Sequence, residues 1–400
     1  MTYSIKFQFE IDLINNDALD NIFKKIGSLL NIQLDENLKP YTHNIKPDYD
    51  IIDISKLNQE HIESKINSFF SFDFLKTVDV SLYKFLVLKN KDKLIILANI
   101  HPLIFDYALM NDIYKLFKET NIERNLIDYY NNAHIYLSSP DFENDTSFWN
   151  SYLLDAGNYI KFHNIKSDNY NNIKIPFKNE KIGNFLKKNN ISKFEFAAAI
   201  FSLYLSRINR SEGCILKTNT PHNDYLEKTT LLKIEYLKDN SFIEYLNEIK
   251  EAYGLAVEHT KVNIENYVEE DLSYYHIYDF TNFENVYVRN GEGSALTLNL
   301  YNDYRDLVYN SDLFSDVFID YMAKNIESII YNVLNSPNQK CKTIDILSNK
   351  EKELLSDFSK GKTIDVDKNK TLAMSFRDNA EKYPNLIAVD DGINQVTYAN

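Results

Sequence analysis

The sequence predicts a mixed α/β fold built as two lobes of similar size. Three observations predict it: the alternation Ile5-Lys6-Phe7-Gln8-Phe9-Glu10-Ile11, the apolar run Leu94-Ile95-Ile96-Leu97-Ala98, and an apolar helix pattern from Phe194 to Ile208. Alternation at period two marks a half-buried strand, and a short branched apolar run marks a fully buried one. Strands and helices occur in both halves, which fits α+β or α/β lobes with antiparallel pairing.

The elements follow in order. After the first strand, Leu19, Ile22, Phe23, Ile26 and Leu29 recur at helical spacing. A strand over Val78 to Leu88 is expected to pair with the Leu94 strand through the turn Lys89-Asn90-Lys91-Asp92. Beyond Ala98 the chain reads Asn99-Ile100-His101-Pro102-Leu103-Ile104-Phe105-Asp106-Tyr107, then an amphipathic helix through Leu109, Ile113 and Leu116. A His and an Asp at the mouth of a buried strand point to a site rather than a surface loop. The second lobe opens near Lys174, and its helix Phe194 to Ile208 carries three consecutive alanines that permit close helix packing. Further strands are expected at Thr230 to Tyr236, His276 to Phe280 and Leu296 to Tyr301, with helices at Ser241 to Val257 and Ser315 to Asn335. The polar stretch Ser359 to Lys370 reads as a linker. No solenoid-like short repeat is present.

Composition narrows the function classes. Four hundred residues, 44% of them hydrophobic, with 29 Tyr and 25 Phe, exclude a disordered chain. Gly (9) and Pro (8) are scarce while Asn, Lys, Ile and Tyr abound, a coding bias that lowers the weight of any single Asn or Lys. A net charge of −14, from 44 basic and 58 acidic residues, argues against a nucleic-acid-binding surface. Cys214 and Cys341 are too few and too far apart for a metal knuckle or disulfide framework, and read as buried thiols in a reducing cytoplasm. No basic-then-apolar leader follows Met1, and no apolar run approaches the roughly 18 residues that span a bilayer. Neither secretion nor membrane insertion is expected. No Gly-x-Ser-x-Gly elbow surrounds Ser206 or Ser211, and no His-Glu-x-x-His spacing suggests a metal site.

The stretch from Leu94 to Tyr114 resembles the His-His-x-x-x-Asp-Gly region of condensation domains of nonribosomal peptide synthetases. Aligned on Phe105-Asp106, His101 stands at the first His, Pro102 where the second, catalytic His belongs, and Tyr107 where the Gly belongs. Further segments resemble the family in its order. Ile127-Asp128-Tyr129-Tyr130 is similar to part of Tyr-x-Asp-Tyr-Ala, and Phe148-Trp149-Asn150-Ser151-Tyr152-Leu153 to the Tyr-Trp-x-x-x-Leu that closes the first lobe. His259-Thr260-Lys261-Val262-Asn263-Ile264-Glu265 resembles His-Gln-x-Val-Pro-Phe-Glu, Asp279-Phe280-Thr281-Asn282 the Phe-x-Gln-Asn strand end, and Tyr309-Asn310-Ser311-Asp312-Leu313-Phe314 the Tyr-x-x-Asp-Leu-Phe segment. Tyr383-Pro384-Asn385, Ile387-Ala388-Val389 and Val396-Thr397-Tyr398-Ala399 resemble the opening of an adenylation domain.

The resemblance implies a two-lobe fold of the CoA-dependent acyltransferase type, like chloramphenicol acetyltransferase, with a tunnel between the lobes. It implies an N-terminal lobe over 1–165 lacking the family's opening helix, a C-terminal lobe over 166–347, a linker over 348–370 and a truncated adenylation start over 371–400. The implied activity is amide formation between an acyl or peptidyl donor and an aminoacyl acceptor. Both are delivered on the phosphopantetheine arms of upstream and downstream peptidyl carrier proteins, with no cofactor bound directly. The adjoining adenylation domain is the other implied partner, and the setting is cytoplasmic.

Site roles follow from the same resemblance. His101 is the candidate base, Asp106 a loop-holding carboxylate, and Lys39 its candidate cationic partner. Pro102, Tyr107 and Asn282 are expected to line the tunnel, while His259 falls in a packing segment. Pro102 has neither a titratable group nor a backbone donor, so it cannot accept the ammonium proton or orient the amine. Tyr107 replaces a residue that allows close backbone approach. A lone His beside a buried strand is more often structural than catalytic. Two functions are therefore weighed: an amide-forming enzyme impaired at Pro102, or a non-catalytic domain that docks carrier proteins and braces the adenylation domain. Heterocyclisation is unlike this motif, because His101 stands where those relatives carry Asp, and the adenylation-like tail argues against epimerisation.

Overall fold

The structure, a computed structural model, describes residues 5–30, 32–34, 40–42, 47–72, 74, 81–101, 104–105, 107–118, 132, 135–154, 169–176, 180–219, 229–262, 264–267, 275–281, 286–289, 294–361 and 369–399. The chain divides into two compact units, Met1–Ser348 and Asn349–Asn400.

In the first unit, strand β1 (Ile5–Asp12) turns Phe7, Phe9 and Ile11 inward, and helix α1 (Asn16–Leu30) buries Leu19, Phe23, Ile26 and Leu30. The two faces meet because period 2 and period 3.6 each gather the apolar side chains on one side. Gly27 lies where a Cβ would sit 2.8 Å from the Pro47 ring, so this approach admits only glycine without a shift. Strands β2 (Ile32–Leu34) and β3 (Pro40–Thr42) form a small ribbon. Strand β4 (Tyr49–Asp53) precedes helix α2 (Gln59–Phe70), whose first turn is capped by the Asn58 side chain. Strands β5 (Tyr83–Lys89) and β6 (Lys93–Ile100) form the expected hairpin, with Phe85 opposite Ala98 and Val87 opposite Ile96. Helix α3 (Tyr107–Phe117) follows, then α4 (Pro140–Tyr152), which starts with a Ser139 cap and Pro at its first turn.

The chain continues through β7 (Tyr170–Pro176), α5 (Glu180–Asn189) and α6 (Lys193–Asn209). Next come β8 (Gly213–Thr218), β9 (Thr230–Glu235) and α7 (Phe242–Glu258). Helices α6 and α7 both open with complete capping boxes, Ser192 with Glu195 and Ser241 with Glu244, which explains their sharp starts. Strands β10 (Tyr275–Asp279), β11 (Val286–Arg289), β12 (Leu296–Leu300) and β13 (Tyr304–Asn310) lead to α8 (Asp316–Asn335).

Two sheets organise this unit. The first has five strands in the order β11-β1-β6-β5-β4, antiparallel except for the β4–β5 pair. The second has six, β7-β13-β12-β10-β8-β9, and β10 runs parallel to both its neighbours. Ala197, Ala198 and Ala199 of α6 are buried in the second sheet's core with Leu298, Leu307, Tyr245 and Ile326.

Two elements depart from a division of the chain at 165 and 166. Strand β11 comes from the second half of the sequence but pairs with β1, Val288 opposite Phe7, as the edge of the first sheet. Helix α4 comes from the first half, yet its Trp149 packs with Ile215, Leu231, Ala256 and Val262 beside the second sheet. The segment expected to link the units, 348–370, opens with helix α9 (Asn349–Ser359), because Leu354, Leu355 and Phe358 keep helical spacing within that polar stretch.

The second unit adds α10 (Leu372–Lys382), capped by Thr371, and the hairpin β14 (Ile387–Asp390) with β15 (Gln395–Thr397). Its turn uses Gly392 at φ +83°, and the Asp391 carboxylate accepts hydrogen bonds from the Ile393 and Asn394 amides. Neither α9 nor α10 buries a side chain. Among the described residues no helix is long and apolar enough to cross a membrane.

Candidate active site

The site is built at the end of β6. This strand is buried along most of its length between β1 and β5, as its unbroken apolar run requires. The ladder continues one residue further, where the His101 amide donates to the Leu82 carbonyl at 2.8 Å. A turn closes at once, with the Ile104 amide donating to the His101 carbonyl at 3.1 Å. His101 is therefore held rigidly, 3% exposed, with its ring edge-on to Phe74 at 5.8 Å. Before it, the fully buried Asn99 donates to the Phe72 carbonyl at 2.8 Å, tying the segment after α2 to the strand that delivers the histidine. On β5, opposite Ile100, burial first and the nearby Asp48 carboxylate second push the Tyr83 phenol up to about 12.

The turn after His101 feeds the seam between the sheets. Ile100, Ile104 and Phe105 share one apolar cluster with Tyr278, Phe280 and Tyr301, which lie at or just beyond the ends of β10 and β12. Tyr301 also joins the sheets by hydrogen bonding: its hydroxyl accepts from the amide of Val288 on β11 at 3.0 Å. Lys174 of β7 lies over the rings of Tyr287 and Tyr304, at 5.6 and 4.9 Å.

The second sheet presents a polar face on the side away from its own helices. Leu296, Leu298 and Leu300 of β12 enter the helix-covered core, so Thr297 and Asn299 occupy the opposite face. Across the strands, His276 stands opposite Thr297, and Asn299 is flanked by Tyr278 on one side and Asp306 on the other. Thr297, Asn299 and Asp306 are fully buried. Desolvation lowers the His276 pKa well below the usual imidazole value, with Lys217 acting in the same direction, so its ring is neutral at pH 7. Burial raises the Asp306 carboxyl above its ordinary range, against the lowering effect of Asn172 and Lys174. Asn172 donates to Asp306 at 2.6 Å.

Among the residues expected to form the catalytic loop and line the tunnel, His101 alone has its side chain described. Pro102, Asp106, Lys39 and Asn282 lie outside the described residues, as does the segment Ile127 to Tyr130, and Tyr107 is described only as the first backbone residue of α3. His259 lies away from the seam, at the end of α7, where its Nδ1 pairs with Asp145. The buried polar face was not anticipated. Leu-Thr-Leu-Asn-Leu alternates and so reads as a strand with one wet face, while the coding bias toward Asn removed the remaining signal. Among the described residues no group of His, Cys, Asp and Glu is arranged to hold a metal ion.

Two sheets, helices on the outer faces and a shared seam make the first unit a two-lobed, chloramphenicol acetyltransferase-like fold. Comparison with known proteins shows the same fold in the first condensation domain of the calcium-dependent antibiotic synthetase in complex with a substrate analogue. That match has a TM-score of 0.70 at 11% identity and covers 86% of this chain and 94% of that one. A holo four-domain nonribosomal peptide synthetase bound to AMP and glycine matches with a TM-score of 0.71 at 14% identity, over 100% of this chain and 36% of that one. In sequence, the chain is 20% identical to surfactin synthase subunit 1 of Bacillus subtilis (strain 168), over 92% of its length. It spans 12% of that curated relative's length. No family model matches the sequence.

Proposed function

We propose that the first unit is a condensation domain of a nonribosomal peptide synthetase and that residues 371–400 begin an adenylation domain. The family's chemistry is attack of an aminoacyl amine on a carrier-bound thioester, with loss of the ammonium proton and release of the donor thiol. The observation that carries the reading is the place of His101, at the exit of a buried central strand where its turn enters the seam between two lobes. The likeness in fold to a condensation domain over 86% of the chain, and to a multidomain synthetase over all of it, supports the same reading. Partners of such a domain are carrier proteins upstream and downstream and the adjoining adenylation domain, with substrates presented on phosphopantetheine arms.

In this chain the activity is impaired. Pro102 can neither take up nor direct a proton. His101 sits in a well-packed position, 3% exposed against Phe74, which suits a residue that shapes the loop better than a base needing contact with an amine. These two observations favour a second reading, in which the domain docks carrier proteins and braces the adenylation domain without chemistry. A single-turnover assay with donor- and acceptor-loaded carrier proteins separates the two, reading the condensed product by intact mass for the chain and for His101→Ala. Product lost with His101→Ala makes His101 the base. No product from either chain, with carrier binding retained, makes the domain a scaffold.

A further inference from the structure

Strand β4 leaves an open edge on the first sheet. The Phe85 amide donates to the Asp48 carbonyl at 3.0 Å and the Ile54 amide to the Lys89 carbonyl at 2.8 Å, so the even-numbered residues bond to β5. Backbone groups of successive residues alternate in direction along a strand, which turns the N–H and C=O of Tyr49, Ile51 and Asp53 outward. These groups have no partner among the described residues. The other edges are blunted. On β9 the Tyr152 hydroxyl accepts from the Lys233 amide at 3.0 Å, on β11 the Tyr301 hydroxyl accepts from the Val288 amide, and β7 ends in Pro176. An open edge is a template for pairing with another chain, and natural folds protect such edges. Strand β4 instead carries exposed Asp50 and Asp53 on either side of Ile51, which is 44% exposed, and the half-buried Ile52.

We propose that β4 is a docking edge for an extended basic segment of another polypeptide, which adds to the first sheet as a further strand. The charges select this occupant. A second copy would bring its own aspartates to the same edge, on a chain of net charge −14, whereas Lys or Arg opposite Asp50 and Asp53 forms favourable cross-strand pairs. Ile52 packs with Phe69 and Phe70 of α2, while Tyr49 stacks on Phe23 of α1 at 3.9 Å. Asp50 and Ile52 therefore share the α2 side of the sheet, and Ile51 and Asp53 the α1 side. The order Asp-Ile-Ile-Asp reads the same in both directions, so its complement is basic-apolar-apolar-basic whether the added strand runs parallel or antiparallel. Main-chain bonds to Tyr49, Ile51 and Asp53 supply affinity, and the side-chain pattern supplies selectivity. Strand β5 stands between this edge and β6, which delivers His101, and the docking needs no amide-forming chemistry.

The test uses the whole chain and a capped synthetic peptide with Lys-Val-Val-Lys at its centre and Thr and Ser on either side. Calorimetry reads binding, and hydrogen exchange by mass spectrometry reads protection of residues 49–53. The native chain is expected to bind the peptide with slowed exchange in that segment, and Ile51→Pro to weaken binding roughly tenfold or more. The Ile51 N–H faces outward, so proline there removes no bond to β5 and suits an edge strand. Asp50→Lys combined with Asp53→Lys is expected to lose the basic peptide and to take up a Glu-Val-Val-Glu peptide in its place. If Ile51→Pro does not fold, as checked by circular dichroism, the native chain with a Lys-Val-Val-Lys peptide N-methylated on every central amide decides the matter, and loss of binding is expected. No binding of the basic peptide to the native chain would overturn the proposal. So would equal binding by folded Ile51→Pro or by the N-methylated peptide, since the edge would then be an acidic surface that attracts cations without pairing a strand.

Discussion

The Nδ1 atom of His259, at the end of α7, lies 2.7 Å from Oδ1 of Asp145 on α4, and the same carboxylate accepts a 2.5 Å hydrogen bond from the Tyr136 hydroxyl through its other oxygen. Trp149, one turn further along α4, donates to the His259 carbonyl at 2.7 Å, and Phe148 stacks on the imidazole at 4.0 Å. Asp145 is 5% exposed, so this carboxylate links a helix from the first half of the chain to the second sheet's surroundings through buried, charge-assisted bonds.

Asp145→Ala strands two buried partners at once. The expected cost is about 3 kcal/mol, while Asp145→Asn, which retains one acceptor, is expected to cost about 1 kcal/mol. Urea midpoints measure both. In a double-mutant cycle with His259→Ala the effects are expected to fall short of additivity, because the two residues share one interaction.

Tyr301 seals an edge. Strand β11 is the last strand of the first sheet, and the outward amide of Val288 finds its acceptor in the Tyr301 hydroxyl rather than in another strand. Tyr301→Phe is expected to cost about 1–2 kcal/mol and to speed hydrogen exchange at Val288 selectively. Unchanged exchange at that amide would mean that the edge is protected by something else.

His276 gives the fold an acid-side weakness. Burial lowers its pKa in the folded chain, so the neutral form is favoured there and the unfolded chain takes up a proton first. The stability it contributes is complete above pH 6.5 and is lost as pH falls toward the depressed folded value. The loss amounts to about 1.4 kcal/mol per pH unit while the unfolded form alone is protonated. Urea titrations between pH 7 and 5 should show a shallower decline in His276→Gln than in the native chain. Equal slopes would remove His276 from the account.

Pro102 and Tyr107 give a functional prediction. If Pro102 is the impairment, Pro102→His combined with Tyr107→Gly is expected to raise single-turnover amide formation by about a hundredfold, the lower range for a positioned acid or base. No gain in a folded double variant would favour the docking role.

Much of the local structure was legible in the sequence. The β5–β6 hairpin followed from two apolar runs around a four-residue polar turn, and helices α6, α7 and α8 from the patterns over Phe194 to Ile208, Ser241 to Val257 and Ser315 to Asn335. Both are short-range consequences of periodicity and backbone hydrogen bonding, which a linear pattern records. The candidate site was legible only in part: His101 at the end of a buried strand could be read, but not its packing against Phe74, 27 residues away in the chain.

What the sequence by itself determined is therefore the set of elements, their apolar faces and the motif around His101. The tertiary structure alone decided that β11 crosses to the first sheet, that Asp145 meets His259, and that the strand bearing Thr297 and Asn299 is buried on both faces. Alternation tells which side chains share a face, but it does not tell whether water or a second sheet lies against that face. Only the closing of one lobe on the other settles that, because it depends on contacts between residues far apart in the chain.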